Sequence, residues 1–294
     1  MSSGIHISLN AETLFHIGSL PVTNSMFTSL LVSLMLLIFA IIFRTKFNAR
    51  SIRPTGIQNF AEWLVEVLFG LVYSVTGDLK KSRHFFPALS TFFLFIILNN
   101  WLGLLPGVGT IGITHQQETQ QEESGEEAKE SSWSEVVNPT IAATEETEEV
   151  AHEKSVTESA STHSVFIPIF RPGTADLNTT LALSIISVFL IQYFGFKYLS
   201  FSYFQKFLNF SNPINFYVGI LETISEFARI ISFAFRLFGN IFAGEVLIVV
   251  IAYLTKVIVP VPFYGLEIFV GFIQALVFTM LSLVFYNMAT AKSH

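Results

Sequence analysis

Five ionisable side chains interrupt one long apolar stretch near the end of this 294-residue chain. They are Glu222, Glu226, Arg229, Arg236 and Glu245. An ionisable group at membrane depth costs roughly 2.5–3.5 kcal/mol on insertion scales, so each of these residues needs a pairing partner or a functional role. At such a depth carboxylates and guanidinium groups pair with one another or line a path for a substrate or an ion.

Helical spacing sorts these charges into faces. Glu222, Arg229 and Arg236 are seven residues apart and drift only about 20° per step on a helix, so they share one stripe. Glu245 follows Arg236 by nine residues, which is half a turn away, and the two are not a local ion pair.

Small and polar residues lie on the same face as Arg236. Small side chains beside a lone arginine allow another helix to come close. The residues within about 60° of Arg236 on this face are Ser232, Gly239, Asn240 and Ala243.

A structural role for each charge is the alternative. Arg236 would then pair with Glu267 or Glu245, or extend to a lipid headgroup. Arg229 has Glu226 three residues away, which would neutralise it locally.

The last apolar stretch carries Glu267 and Gln274, again seven residues apart on one stripe. Their alternative role is an inter-helix hydrogen bond. Asp176 precedes another apolar run, where it is either the N-cap of a helix or part of a water path.

The elements that position these residues are membrane helices. The chain is 51% hydrophobic and only 13% charged, which excludes an ordinary cytosolic enzyme. Several apolar runs have about the twenty residues that a helix needs to cross a bilayer. The absence of cysteine excludes disulfides, thiolate metal sites and cysteine nucleophiles.

Residues 115–165 hold 13 of the glutamates and two lysines, a net charge of −11, whereas the rest of the chain has 14 basic and 9 acidic residues. The segment has little apolar periodicity, so we predict a solvated, largely disordered insertion. Its histidines His115, His152 and His163 have no spacing that favours a metal site.

We predict an all-α polytopic membrane protein with about five membrane-embedded helices and one interfacial amphipathic helix. Lys and Arg cluster on the predicted cytoplasmic side, which places the N-terminus outside. The predicted organisation is an external tail 1–25; a membrane helix 26–43; a cytoplasmic basic segment 44–84 with the amphipathic helix 55–76; a membrane helix 85–105; an external loop 106–173; a membrane helix 174–198; a cytoplasmic loop 199–212; a long membrane helix 213–254; an external turn 255–262; a last membrane helix 263–287; and a cytoplasmic tail 288–294.

The helical pattern over 213–254 is too long to stand upright. Its 42 residues correspond to about 63 Å of helix, against a hydrocarbon core of roughly 30 Å. We expect either two helices or one strongly tilted helix, which would form a long hairpin with the last helix.

A motif of eleven residues, Phe235-Arg-Leu-Phe-Gly-Asn-Ile-Phe-Ala-Gly-Glu245, resembles the core motif of subunit a of F-type ATP synthases. Asn99 to Pro106, the run from Thr174 to Leu183, and Gln274 agree with the same family. The resemblance extends from about residue 85 to the C-terminus and omits the acidic insertion.

This resemblance implies a stator protein whose tilted hairpin faces a rotating c-subunit ring. Arg236 would be the essential arginine, and Glu245 and Glu267 would serve an external half-channel. Gln274 and Asn240 would support the arginine. Ser232, Glu222 and Asp176 match positions tied to the two half-channels.

The resemblance also implies the surroundings of the chain. The partners would be the c-ring, peripheral-stalk b subunits, other ATP synthase subunits and membrane lipid, in a bacterial cell inner membrane. We expect no nucleic acid, cofactor or metal, and no catalytic activity of the chain itself.

Two features depart from the family pattern: the acidic insertion, and glutamate at both 245 and 267, where many relatives place a histidine at one position. The coupling ion, H⁺ or Na⁺, therefore stays open. The alternative functions are an autonomous ion channel or secondary transporter, and a membrane anchor, although an anchor has no use for buried charges.

Overall fold

A computed structural model gives the arrangement of the chain. It describes residues 11–18, 20–46, 56–105, 108, 112–117, 163–200, 203, 213–255 and 259–291. The predicted acidic insertion, 115–165, lies outside these residues except at its two ends. Most of the predicted cytoplasmic loop 199–212 also lies outside them.

Six α-helices dominate the described residues, and five of them are long and apolar enough to cross a membrane. This confirms the prediction of an all-α polytopic membrane protein. The helices are α1 (Asn24–Lys46), α2 (Gly56–Thr76), α3 (Leu79–Gly103), α4 (Leu177–Leu199), α5 (Pro213–Leu254) and α6 (Pro260–Ala289). The sixth, α2, contains Glu62 and Glu66 and is not among the five candidate spans.

Short strands occur outside the helices. Strands β1 (Thr13–Ile17) and β2 (Leu20–Thr23) pair in antiparallel fashion immediately before α1. Strands β3 (Gly112–Gln117) and β4 (His163–Pro168) form another two-stranded sheet. The chain divides into two compact units, residues 114–166 and the remainder, and all six helices belong to the larger one.

Helix α5 is a single helix of 42 residues. Its first residue is Pro213, and no proline follows within the helix, so no proline kinks it. At about 1.5 Å per residue it is longer than the hydrocarbon core is thick, and it therefore fits a bilayer only when tilted.

Aromatic rings pack α5 and α3 against α6. Phe278 of α6 contacts both Phe233 of α5 and Phe92 of α3, with ring centroids 5.1 and 5.6 Å apart. Leu237 and Ala275, both fully buried, belong to the same cluster. This cluster holds the inner face of α5, so the opposite face of the helix is left for other contacts.

Polar contacts set the level of α3 relative to α6. The Asn100 side-chain amide donates to the Gly271 carbonyl oxygen at 3.1 Å, and its oxygen accepts a hydrogen bond from the Thr174 hydroxyl. Trp101 Nε1 donates to the Ile268 carbonyl oxygen at 3.2 Å. Because Asn100 is 2% exposed, its two hydrogen bonds cannot be exchanged for bonds to water.

Replacing Asn100 by alanine should destabilise the protein. The Asn100→Ala variant leaves buried polar groups of Gly271 and Thr174 unpaired, which costs about 1–3 kcal/mol. Thermal unfolding in detergent measures the loss. The matched control is Asn59→Ala on the exposed face of α2, and equal midpoints for the two variants would contradict the structural role of Asn100.

Candidate functional site

Arg236 lies just past the middle of α5 with an exposed side chain. Within the described part of the chain it forms no hydrogen bond or ion pair. The proposed structural pairs with Glu245 or Glu267 are therefore not formed between these residues. An arginine in an apolar helix thus points away from the helix bundle to which it belongs.

The surface around Arg236 is built from small side chains. Four small residues are exposed along the same face, at helical spacings of three, four and eleven residues. They are Ser225, Ala228, Ser232 and Ala243. Gly239 has open space where a Cβ would lie. The surface is therefore shallow enough for another helix to approach the guanidinium.

An open cavity of about 290 Å³ adjoins Arg236 on the side toward the start of α5. Ser232 and Arg229 also line it, and Leu281 and Phe285 of α6 form its apolar wall. The cavity has room for water and places hydroxyl and guanidinium groups beside that water.

Arg229 is held by its own chain. Its Nη1 atom lies 2.8 and 2.7 Å from the two carboxylate oxygens of Glu226. Its guanidinium also lies 3.9 Å from the centroid of the Phe285 ring, a cation–π contact. This geometry favours the structural alternative for Arg229 and Glu226.

Glu222 is half-buried one turn before Glu226. Tyr203, just beyond the end of α4, donates its hydroxyl proton to Gln192 at 2.8 Å. Burial raises the pKa of Tyr203 to about 12, and the nearby carboxylates of Glu226 and Glu222 add to the rise. Tyr203 therefore remains a neutral hydrogen-bond donor at physiological pH.

Asn240 and Gln274 meet one turn beyond Arg236. The side-chain amide of Asn240 donates to Gln274 Oε1 at 2.7 Å, and Gln274 is 3% exposed. Gln274 Nε2 is buried and has no hydrogen-bond partner among the described residues. This bond joins α5 to α6 near the arginine.

Glu245 is held by a residue outside α5. Both of its carboxylate oxygens lie 3.3 Å from Nε of Arg171, in the segment between β4 and α4. The Arg171 side chain is 7% exposed, whereas the Glu245 side chain is 32% exposed. The pair links the far half of α5 to the segment that precedes α4.

Glu267 of α6 is 7% exposed and approaches α5 at Gly244. A Cβ atom on Gly244 would overlap the Glu267 carboxyl group, so only glycine leaves room for it. Glu267 and Glu245 are close enough to interact electrostatically. Two carboxyl groups from two helices thus lie together in the structure.

Asp176 is the N-cap of α4. Its side chain accepts a hydrogen bond from the Asn178 backbone N–H at 3.2 Å and from the Ser25 hydroxyl of α1 at 2.9 Å. Both Asp176 and Ser25 are buried. The geometry favours the capping alternative, because the carboxylate oxygens already serve a helix start and an inter-helix bond.

Comparison with known proteins decides the family. The sequence matches the ATP synthase A chain family over residues 26–287. The chain belongs to this family. It is 31% identical over 229 residues to ATP synthase subunit a of Gloeobacter violaceus, an alignment that covers 78% of this chain and 69% of that protein.

Family membership makes the chain a membrane subunit of the ATP synthase complex and confirms the resemblance seen in the motif around Arg236. It also confirms an integral, multi-pass membrane protein. The matched residues, 26–287, include all four charged residues discussed above: Asp176, Arg236, Glu245 and Glu267.

Sequence reasoning missed Arg171 as the partner of Glu245 in this ATP synthase subunit. A signal was present: outside the acidic insertion, Arg171 is the one basic residue between Leu105 and Asp176. A lone cation in a segment otherwise poor in basic residues indicates a specific partner. Its partner, Glu245, is 74 positions away in sequence, and helical spacing gives no access to such a pair.

Two substitutions of Asp176 should separate capping from other roles. Asp176→Asn keeps an oxygen for the Asn178 N–H, whereas Asp176→Ala removes it and costs about 0.5–2 kcal/mol. Thermal unfolding of the detergent-solubilised subunit compares them. Equal destabilisation by asparagine and alanine would contradict the capping role.

Proposed function

We propose that the chain is the proton-translocating stator subunit a of an F-type ATP synthase, in which Arg236 faces a rotating ring of c subunits. The chain itself performs no chemistry on ATP. It guides protons between the two sides of the membrane and the carboxylates that the ring carries.

The observation that carries this proposal is the position of Arg236. It is exposed on the outer face of a 42-residue apolar helix, with no ion-pair partner among the described residues. A guanidinium in lipid without a counter-charge is costly. A passing rotor carboxylate supplies that counter-charge, and the small residues along the same face let the rotor helix approach.

The chemistry follows from the permanent charge of arginine. A cation within about 4–6 Å of a carboxylate favours the ionised form of that carboxylate. A rotor carboxylate therefore passes Arg236 without its proton, takes up a proton from the next half-channel, and enters lipid in neutral form. Because a guanidinium does not release its own proton, it also blocks a direct leak.

Two half-channels on opposite sides of Arg236 complete the proposal. The open cavity of about 290 Å³ that Ser232 lines supports an inner path on the Glu222 side. The carboxyl groups of Glu245 and Glu267 support an outer path toward the far end of α5. The Asn240–Gln274 bond supports the arginine region between the two, and Asp176 fixes the helix start beside the outer path.

The proposal includes the topology and partners. The clusters of Lys and Arg that follow α1 and begin α3 favour a cytoplasmic position for those ends, with the N-terminus outside and the C-terminus inside. The proposed location of the chain is a bacterial cell membrane. Its neighbours would be the c-ring, the b subunits of the peripheral stalk and lipid.

Replacing Arg236 by alanine should abolish proton-driven ATP synthesis while the complex still assembles, because Arg236 forms no hydrogen bond or ion pair with a described residue of its own chain. The measurement is ATP synthesis by membrane vesicles under an imposed proton gradient. Arg83→Ala, which removes an exposed arginine at the start of α3, is the control and should retain activity.

Normal synthesis by the Arg236→Ala complex would refute the proposal. Reconstitution of the chain without a c-ring tests the alternative of an autonomous channel or carrier. Ion transport by the chain alone would favour that alternative, whereas transport only in the presence of the ring supports the stator role.

The Glu267→Gln variant should lose most ATP-driven proton pumping in inverted vesicles, because it removes a buried carboxyl group from the proposed outer path. Titration with Na⁺ in the same assay identifies the coupling ion. Stimulation of pumping by Na⁺ would indicate Na⁺ coupling, and pumping by Glu267→Gln at the parental rate would exclude Glu267 from the path.

A further inference from the structure

The first turns of α3 and the last turn of α4 form a basic surface at one end of the helix bundle. Lys80 and Lys81 lie at the start of α3, and Lys197 lies in the last turn of α4. The Tyr198 ring of α4 lies 6.1 Å from the ring of His84 and 6.0 Å from Lys81 Nζ. The start of α3 therefore lies beside the turn of α4 that carries Lys197.

Two of these lysines are exposed and lack an anionic partner in the described part of the chain. Lys80 and Lys197 form no ion pair with any described residue. Asp78 is the N-cap of α3 and accepts a hydrogen bond from the Lys80 backbone N–H at 2.8 Å, so it serves the helix start. Lys81 is engaged elsewhere, because its Nζ donates to the Thr290 carbonyl oxygen at 3.3 Å. The positive charge of Lys80 and Lys197 is thus available to an anion.

An exposed apolar stripe of α4 leads up to Lys197. Ile185, Phe189 and Tyr193 follow one another at four-residue spacing and are 52, 67 and 50% exposed. Lys197 continues the spacing, and its Nζ lies 5.8 Å from the centroid of the Tyr193 ring. Because α4 is long and apolar enough to cross a membrane, its apolar stripe lies at the depth of the acyl chains, and its terminal lysine lies at the depth of the headgroups.

An occupant of this surface has to supply an anion beside the lysines and apolar chains beside α4. Free phosphate supplies only the anion, and a neutral phospholipid supplies only the apolar chains. A phospholipid with a net negative headgroup supplies both. Basic residues near the surface of a membrane attract such headgroups, and each lysine contributes about fivefold in affinity.

We propose that Lys80 and Lys197 bind the headgroup of an anionic phospholipid whose acyl chains lie along the apolar stripe of α4. The lipid headgroup bridges the first turn of α3 and the last turn of α4, beside the Tyr198 ring that already contacts both. This surface is separate from Arg236 and from the carboxyl groups of the proposed proton path. The inference therefore does not depend on the proposed function.

The test uses the whole ATP synthase in phosphatidylcholine vesicles that contain a small fraction of photoactivatable phosphatidylglycerol. Mass spectrometry of peptides measures cross-links to residues 185–198. Lys197→Gln should lower this labelling about fivefold, and Lys80→Gln/Lys197→Gln should lower it more than about tenfold. Lys197→Arg keeps the charge and should retain most of the labelling, a rescue that lost packing alone would not give.

Two controls separate a site from general contact with lipid. Photoactivatable phosphatidylcholine should label residues 185–198 equally in the parent and the variants, because it requires only the apolar stripe. Arg83→Gln removes another exposed cation of α3. Arg83 is three residues before Phe86, which contacts Phe69 of α2, so it lies on the α2 side of α3. This variant should keep the parental labelling by phosphatidylglycerol.

Parental labelling of the double variant by phosphatidylglycerol would overturn the proposal. An equal loss in Arg83→Gln would also overturn it, because the attraction would then be diffuse. Loss of labelling on addition of inorganic phosphate would indicate a site for free phosphate instead. If neither lipid labels residues 185–198 in the whole complex but both label the purified chain, a partner subunit covers the surface and the proposal is wrong. If the double variant does not assemble, the result for Lys197→Gln decides.

Discussion

The cost of a charge in an apolar medium governs this structure. Moving one ionised group into the hydrocarbon core costs several kcal/mol unless a partner compensates it. Ion pairs meet the constraint for Glu226 with Arg229 and for Arg171 with Glu245. Arg236 is treated differently, because its side chain lies on the exterior. The contrast separates the paired charges, which hold the bundle together, from the exposed Arg236, which we propose faces a rotor.

Polar contacts between helices support this arrangement. Asn100 joins α3 to α6 and to Thr174, and Asp176 joins the start of α4 to α1 through Ser25. Hydrogen bonds of this kind replace the hydrophobic driving force, which is absent between helices in lipid. They fix the level of each helix along the bundle. Because Glu267 reaches α5 at Gly244, its position depends on the level of α6, which the bond from Asn100 to Gly271 helps to fix.

Much of the fold was predictable from sequence, because long apolar runs and clusters of basic residues are local signals. The 42-residue pattern did not distinguish a single helix from two, since only packing decides whether an uninterrupted run bends. Arg236 was predictable as a residue on a small-residue face because helical spacing is regular. Its exposure was not predictable, because that depends on which face the Phe233–Phe278 contact buries.

The partners of the charges were the hardest to predict. For Arg229, spacing offered Glu226 as a neighbour, but the contact with Phe285 of α6 comes from tertiary packing. Arg171 and Glu245 are far apart in sequence and meet through the fold alone. For Asp176 the sequence allowed either an N-cap or part of a water path, and the hydrogen bond from the Asn178 N–H favours the N-cap.

Gly244 restricts which substitutions this sequence can accept during evolution. The Glu267 carboxyl occupies the volume that any larger residue at 244 would need. The two positions are therefore not free to mutate independently: a lineage that gains a side chain at 244 must shorten or redirect the one at 267. Aligned relatives should show paired substitutions, in which a larger side chain at 244 accompanies a shorter side chain at 267.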